Sequence, residues 1–261
     1  MCTLTALPGE LLEADPAADR VLRVVFNRDE RRHRLPGLPP RVVVTGHRRA
    51  LMPIDADAGG SWIAVNDVGL VVALLNLTAT SGEHMPERTA QVPRRSRGHI
   101  VPALAAGGTI DDARRIMDAT DVAAYEPFRA VALHRQHWFE ARWTGHRFQT
   151  QRGPIGRPLI WTSSSLGDEI VSGPRQALFD RLFADRPLTA DVQDAFHHHT
   201  WNDRPDVSVR MSREDASTVS ITTIDLTATG ARMDYESIAS VNGERVSANL
   251  QLDDAAGPAA V

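Results

Sequence analysis

The stretch between residues 61 and 76 constrains the fold more than any other part of the chain. Residues 61–65 and 70–75 are apolar runs, and residues 66–69 between them include the asparagine, aspartate and glycine that a tight reversal needs. The second run is almost wholly apolar, so both faces of this strand are expected to be buried. The pattern predicts a hairpin inside a layered protein, with the polar residue Asn76 at the end of its second strand.

Strand-like and helix-like segments occur in groups along the rest of the chain. Strands are predicted at residues 2–7, 21–26, 41–45, 158–162, 217–224 and 232–235, with further strands between 128 and 148. Helices are predicted at residues 100–106, 111–117 after a Thr109 cap, 177–183, and 190–199 after a Thr189 cap. The first two strands are expected to pair as a wide hairpin. A sheet core with helices grouped in the middle predicts the α+β class.

Composition limits the number of domains, the cellular location and the classes of partner. The chain has 261 residues, 42% of them hydrophobic, and shows no linker-like segment, which predicts one domain over 1–261 with a less ordered tail from about 240 to 261. No apolar run is long enough to span a membrane, and the N-terminal stretch is acidic where a signal peptide would be basic. With a single thiol, a cytoplasmic location is expected. The net charge of −4 gives no general attraction to nucleic acid.

The only cysteine of the chain is Cys2, directly behind Met1. A small residue at position 2 allows Met1 to be removed, which would place a thiol and a free α-amine on one residue. An α-amine has a pKa of about 7.7–8.0 and a thiol one of about 8.5, so the amine is able to accept the thiol proton without a histidine. N-terminal nucleophile hydrolases use a first-residue serine, threonine or cysteine in this way. The alternative is that Cys2 is an inert, buried small hydrophobe.

Four polar residues end the second predicted strand, in the order Asn27, Arg28, Asp29 and Glu30. Period-two alternation places Arg28 and Glu30 on one face of that strand, and Asn27 and Asp29 on the other. If the first two strands pair, this polar group lies beside Cys2. The alternative is a charged strand end that leads into a basic loop.

These motifs together resemble the NRDE family, which is related to the transport and Golgi organisation proteins. The resemblance rests on the Met-Cys start, on residues 27–30, on Gly59-Gly60-Ser61-Trp62 and on the hairpin that ends at Asn76, and it continues at Arg97-Gly98 and at residues 164–166. The family is grouped with the N-terminal nucleophile (Ntn) hydrolases. The resemblance therefore implies a four-layer αββα sandwich, with two packed antiparallel sheets and helices outside.

The chain is also similar, more distantly, to penicillin V acylases and bile-salt hydrolases, which start with Met-Cys-Thr as this chain does. The resemblance implies that Asn76 helps to build the oxyanion hole. In those enzymes an arginine and an aspartate lie a few residues apart, whereas Arg28 and Asp29 are adjacent here and are expected to point to opposite faces.

Two further positions depart from the acylase pattern. Their second asparagine is missing here or replaced by a hydroxyl of Ser163 or Ser164. Their late arginine has no clear match, and Arg210 or Arg213 is a candidate to reach the site from a loop.

The function expected from these residues is hydrolysis of a small amide through an acyl-Cys2 thioester. Cys2, Arg28, Asp29 and Asn76 are the expected catalytic residues, with supporting roles for Asn27, Glu30, Ser163 and Ser164. The alternatives are acyl transfer and a non-catalytic carrier of haem or lipid, in which Cys2 is a ligand or a relic. No cofactor is expected otherwise. No metal site is expected, because His197, His198 and His199 on one helix point about 100° apart.

Overall fold

The computed structural model describes residues 2–13, 19–78, 94–164, 166–184, 187–238 and 244–253. The strands are β1 (Cys2–Pro8), β2 (Arg20–Arg31), β3 (Leu38–Thr45), β4 (Arg48–Ile54), β5 (Ile63–Asn66), β6 (Val71–Asn76), β7 (Phe128–His134), β8 (His137–Trp143), β9 (Phe148–Pro154), β10 (Leu159–Ser163), β11 (Ala216–Thr227), β12 (Gly230–Ser237) and β13 (Arg245–Gln251). The helices are α1 (Ile100–Ala105), α2 (Ile110–Asp118), α3 (Asp168–Phe183) and α4 (Ala190–His197). None of the helices in these ranges is long and apolar enough to cross a membrane.

The strands form two antiparallel sheets. One has six strands in the order β10-β1-β2-β11-β12-β13, and the other has seven in the order β3-β4-β5-β6-β7-β8-β9. The predicted hairpin is β5 paired with β6, and β1 pairs with β2 as expected. The N-terminal strand thus lies inside the six-stranded sheet, between β2 and β10.

Apolar side chains alternate between two faces of each sheet, and helices cover part of each outer face. The inner faces pack against each other, with Leu4 and Phe26 from one sheet and Ile63 and Val131 from the other fully buried. On the outer face of the seven-stranded sheet, α1 packs on β5 and β6, and α2 on β7 and β8. On the outer face of the six-stranded sheet, α3 packs on β10, and α4 on β2. The expected four-layer αββα arrangement is confirmed.

Several elements differ from the sequence predictions. Strand β4 was not predicted, because it begins with two arginines and contains Pro53, which hide its alternation. Helix α3 starts well before the predicted residue 177, since packing of its buried face overrides the weak helix propensity of Gly173 and Pro174. Strand β13 lies within the stretch expected to be a less ordered tail and pairs along the length of β12. That residues 1–261 form one domain stays a prediction.

Candidate active site

Cys2 is held from both sides in the six-stranded sheet. It is the first residue of β1, opposite Arg28 of β2 and opposite Ser163 of β10. Directly opposite residues of an antiparallel pair have their side chains on the same face, which here is the face between the two sheets. The cysteine is 4% exposed. The register therefore groups a thiol, a guanidinium and a hydroxyl that are far apart in sequence.

The surroundings of the thiol keep it protonated at neutral pH. Burial raises the pKa of Cys2 to about 11, and the nearby carboxylate of Asp29 acts in the same direction. A hydrogen bond from the backbone N–H of Asp29 to the thiol acts in the opposite direction, because it favours the thiolate. The thiol needs a base, or added positive charge, to become a nucleophile.

Arg28 is fixed between the two sheets by a carboxylate and an aromatic ring. Its Nη2 donates to Asp55 Oδ2 at 2.7 Å, and its guanidinium lies 4.0 Å from the centre of the Trp62 ring. Asp55 also accepts a hydrogen bond from Arg34 at 2.9 Å. Burial alone would raise the pKa of Asp55, but the Ala58 backbone N–H and the Arg28 guanidinium together lower it, so Asp55 is an anion. Arg28 is therefore a cation held in one position by these two contacts, on the same face of the sheet as Cys2.

Asp29 places its side chain on the opposite face, beneath α3, as the alternation predicts. Its Oδ1 accepts a hydrogen bond from the Thr218 hydroxyl at 2.6 Å, and its Oδ2 lies 3.8 Å from Nη2 of Arg175. Burial raises the pKa of Asp29, and the positive charge of Arg175 opposes that shift. Oδ2 has no hydrogen-bond partner among the described residues. One residue thus serves both faces, with its backbone at the thiol and its carboxylate at the helix layer.

Arg175 is a site residue that sequence reasoning missed. It is fully buried in α3, and it also donates to the Thr3 hydroxyl at 2.6 Å and to the Val207 carbonyl at 3.1 Å. Val171 and Leu178, four residues before it and three after, are buried as well. That helical spacing was the available signal, because it places an arginine on the buried face of the helix.

Asn27 and Glu30 have different surroundings. Asn27 is buried under α4, where its side chain bonds the His197 ring at 2.7 Å and donates to the Val209 carbonyl at 3.0 Å, so it ties the sheet to the helix layer. Glu30 lies 3.4 Å from Arg34 and lines a cavity beside the sheet edge. The structure brings Glu30, but not Asn27, to the side of the sheet that faces Cys2.

A cavity of about 1150 Å³ opens at the end of the sandwich where β1 begins. Its wall is formed by Asp29, Glu30, Arg31, His33, Arg34, Asn76, Leu77, Thr78, Arg97, Leu166, Pro205, Asp206, Ser212, Arg213, Glu214, Asp215 and Ala216. Cys2 is not one of these wall residues, but Asp29, which donates its backbone N–H to the thiol, is, so the two are linked through one residue. The cavity is polar enough for a small hydrophilic ligand.

Asn76 lies in the cavity wall at the end of β6, half-buried and opposite Phe128 of β7. Its side chain makes no hydrogen bond with the described part of the chain. The next residue, Leu77, donates its backbone N–H to the carbonyl of Pro127 at 3.1 Å, which fixes the strand end. Asn76 thus offers an amide N–H donor at a strand end that the backbone holds in place.

The two serines differ in their surroundings. The Ser163 hydroxyl is fully buried, lies on the strand neighbouring Cys2, and has no hydrogen-bond partner among the described residues. The Ser164 hydroxyl instead accepts the backbone N–H of Leu166 at 3.0 Å and shapes the turn before α3. Ser163 therefore places its hydroxyl directly opposite Cys2 on the neighbouring strand.

The loop arginines were candidates for the late arginine of the acylases. Arg213 lines the cavity and lies 3.5 Å from Asp215. Arg210 is not in the cavity wall, and its backbone N–H donates to the His199 carbonyl at 3.0 Å. Among the described arginines, Arg175 of α3 lies within ion-pair distance of the Asp29 carboxylate.

The three consecutive histidines that begin with the last residue of α4 have separate partners. His197 bonds the Thr5 hydroxyl at 2.6 Å, His198 lies 3.3 Å from Glu236, and His199 packs edge-on against Trp201. Within the described ranges, no group of three or more His, Cys, Asp or Glu side chains is placed to hold a metal ion.

Comparison with known proteins gives a family and a fold. The family model described as Transport and Golgi organisation 2 matches residues 11–165. No curated protein gives a significant match in sequence.

Three solved structures resemble most of the chain at low sequence identity. Penicillin V acylase from Agrobacterium tumefaciens has a TM-score of 0.56 at 13% identity, over 96% of this chain and 86% of the acylase. A mutant conjugated bile acid hydrolase from Clostridium perfringens has a TM-score of 0.53 at 14% identity, over 96% of this chain and 92% of the hydrolase. The Caenorhabditis elegans orthologue of N-acylethanolamine-hydrolyzing acid amidase has a TM-score of 0.53 at 10% identity, over 86% of this chain and 92% of the amidase. The chain has the same fold as these enzymes.

Proposed function

Since the chain belongs to the Transport and Golgi organisation 2 family and has the fold of these three amide-cleaving enzymes, we propose that it hydrolyses a small amide with Cys2 as nucleophile. The observation that carries this proposal is the placement of Cys2. It is the first residue of an inner strand, beside a backbone N–H donor from the cavity wall, as an N-terminal nucleophile must be.

The proposal requires removal of Met1, so that the α-amine of Cys2 becomes the base. Asp29 is the group to orient that amine. Its Oδ2 is buried and has no hydrogen-bond partner in the described residues, and its negative charge is balanced by Arg175 at 3.8 Å. A buried acceptor of this kind is costly unless it is satisfied, and an ammonium group would satisfy it.

The mechanism follows from these groups. The α-amine takes the thiol proton, and the sulfur attacks the carbonyl carbon of the amide, forming a C–S bond. The oxyanion that develops is stabilised by the Asn76 side-chain amide and by backbone N–H groups. The amine base then gives the proton to the leaving nitrogen as the C–N bond breaks. Water attacks the acyl-Cys2 thioester to release the acid and regenerate the thiol.

The first experiment tests the nucleophile. We expect the intact mass of the purified protein to lack Met1, and Cys2 to react with iodoacetamide at neutral pH. The matched control has a glutamate inserted between Met1 and Cys2, which removes the α-amine from the cysteine. In that control the thiol has no adjacent base, so it should react slowly at neutral pH, and its alkylation rate should rise as the pH is raised toward the high pKa that burial gives the thiol.

The second experiment tests turnover. Penicillin V, a conjugated bile acid and an N-acylethanolamine represent the amides that the structural neighbours are named for. We expect the protein, but not its Cys2→Ala variant, to release the amine from at least one member of a wider panel of small amides. A Met1-retaining protein, or haem or lipid binding that survives Cys2→Ala without any amide cleavage, contradicts the enzyme proposal and favours the carrier role.

A further inference from the structure

Arg97 lies in the wall of the cavity, beside the strand end that carries Asn76. It is half-buried just before α1, and its Nη1 donates to the Pro127 carbonyl at 2.9 Å. The same carbonyl accepts the backbone N–H of Leu77 at 3.1 Å. One oxygen atom therefore fixes both the guanidinium and the end of β6.

The backbone around Arg97 is also held in place. Gly98 lies against Gly60, and its carbonyl accepts the Ser61 N–H at 3.0 Å. A Cβ on Gly60 would lie 2.5 Å from the Gly98 carbonyl carbon, so the two backbones cross at the closest approach that glycine allows. The guanidinium is thus placed by rigid backbone on both sides.

Arg97 differs from three nearby arginines, Arg28, Arg34 and Arg213, in its charge balance. Arg28 and Arg34 have Asp55 as an ion-pair partner at 2.7 and 2.9 Å, and Arg213 has Asp215 at 3.5 Å. No carboxylate of the described residues lies within ion-pair distance of Arg97. Burial lowers the pKa of Arg97, and negative charge on Cys2, when ionised, and on Glu30 opposes that shift, so the guanidinium lies close enough to both side chains to interact with their charges.

We propose that Arg97 binds a carboxylate of the substrate, so that the enzyme acts on amides that carry a negative charge close to the bond that is cleaved. The proposal rests on the proposed amide hydrolysis and names its substrate class. A guanidinium presents a planar fork of N–H donors that matches a carboxylate, and its hydrogen bond to Pro127 leaves further donors for a ligand. A half-buried cation without a carboxylate partner is costly, and a substrate anion would remove that cost.

The first test measures binding without catalysis. Glutarate and its neutral diamide, glutaramide, are titrated calorimetrically into the wild-type protein, Arg97→Gln and Arg31→Gln. Arg31 is the matched control, because it is an exposed arginine in the wall of the same cavity. We expect wild type and Arg31→Gln to bind glutarate at least about tenfold more tightly than glutaramide, a difference of about 1.4 kcal/mol, and Arg97→Gln to lose that preference.

Arg97→Lys separates charge from shape. A lysine keeps the positive charge but not the planar fork, so an intermediate preference for glutarate is expected. The variant also serves as the test if Arg97→Gln is not folded. Equal preference in wild type and the Arg97 variants, or no glutarate binding by the wild type, overturns the proposal.

The second test uses turnover to locate the carboxylate. Glutaryl anilide carries it on the acyl side, 4-(pentanoylamino)benzoate carries it on the amine side, and pentanoyl anilide is neutral. We expect one of the two anions to be cleaved with a kcat/KM at least about tenfold above that of the neutral amide, and Arg97→Gln to abolish the advantage. If glutarate binds through Arg97 but no amide is cleaved, Arg97 still forms an anion-binding site. That result would contradict only the proposed amide hydrolysis. Cleavage of the neutral amide at the same kcat/KM as both anions contradicts the role of Arg97.

Discussion

At the scale of single residues, the candidate site depends most on groups whose surroundings differ from their usual ones. Asn76 is half-buried and makes no side-chain hydrogen bond within the described ranges. We predict that Asn76→Ala lowers kcat by about 10²–10³, the usual cost of losing one oxyanion donor, while the unfolding midpoint stays near that of the wild type. Steady-state kinetics and thermal unfolding measure the two effects.

The matched control for Asn76 is Thr78→Ala, which removes a polar group from the same cavity wall. It should leave kcat near the wild-type value. A kcat of Asn76→Ala that is unchanged, or a fall that appears only in the stability of the fold, would assign the asparagine to the structure of the strand end instead of to the oxyanion.

Cys2 could be predicted as a candidate from a local pattern, a lone thiol at position 2. The pattern around Asn76 marked only the end of an apolar strand, and its role was implied by the resemblance to the acylases. Arg175 could not be found in the same way. Its partner Asp29 lies in another element, and only the packing of α3 on the sheet brings the two side chains together. Ser163 was named, but its position opposite Cys2 depends on the strand order.

At the scale of secondary-structure elements, α3 is attached to the sheet by a buried charge. Arg175→Met would leave the Asp29 carboxylate buried without its cation, so we predict a loss of about 3–5 kcal/mol of unfolding free energy at pH 7. Denaturation in urea measures it. The double variant Arg175→Met with Asp29→Asn should recover most of the loss, because it removes the buried charge as well.

The stability lost in Arg175→Met is expected to depend on pH. The pKa of Asp29 is already raised in the folded protein by burial, and the loss of Arg175 raises it further. Between the unfolded and folded pKa values the native state binds more protons, so stability falls as pH rises through that interval. The cost of Arg175→Met should therefore be smaller at pH 5 than at pH 7. An equal cost at both pH values would show that lost packing, and not the carboxylate, is the cause.

The crossing of Gly60 and Gly98 is a second element-scale contact. We predict that Gly60→Ala lowers the unfolding free energy by about 1–3 kcal/mol, because the new methyl group meets backbone that cannot move aside cheaply. Gly173→Ala is the control. That position is exposed in α3 with open space around it, so alanine should raise stability by up to about 1 kcal/mol. Equal effects in the two variants would contradict the contact.

Elements with a clear local period could be predicted, and those stabilised by tertiary packing could not. The β5–β6 hairpin and α2 with its Thr109 cap are confirmed, the Thr109 hydroxyl accepting the Asp112 N–H at 3.1 Å. Strand β4 and the first half of α3 were missed, since arginine, glycine and proline residues weaken their local signals.

At the scale of the whole molecule, the site is assembled from strands that are distant in sequence. Cys2 is in register with Arg28 and with Ser163, and β2 in turn pairs with β11 near the end of the chain. Folds dominated by such non-local pairings form slowly. We predict that on refolding from urea the thiol becomes protected from a fast labelling reagent only in the slowest phase of the tryptophan fluorescence change. Protection in an earlier phase would mean that β1 docks before the sheet is complete.

Asp29 touches the thiol through its backbone and the outer helices through its carboxylate. Under the proposed function, substrate choice and nucleophile strength are coupled through this one residue. Asp29 also belongs to the cavity wall, and its neighbour Glu30 in that wall raises the pKa of the thiol, so substitutions on either side of the sheet would change both properties. Relatives with this arrangement would alter one property only together with the other.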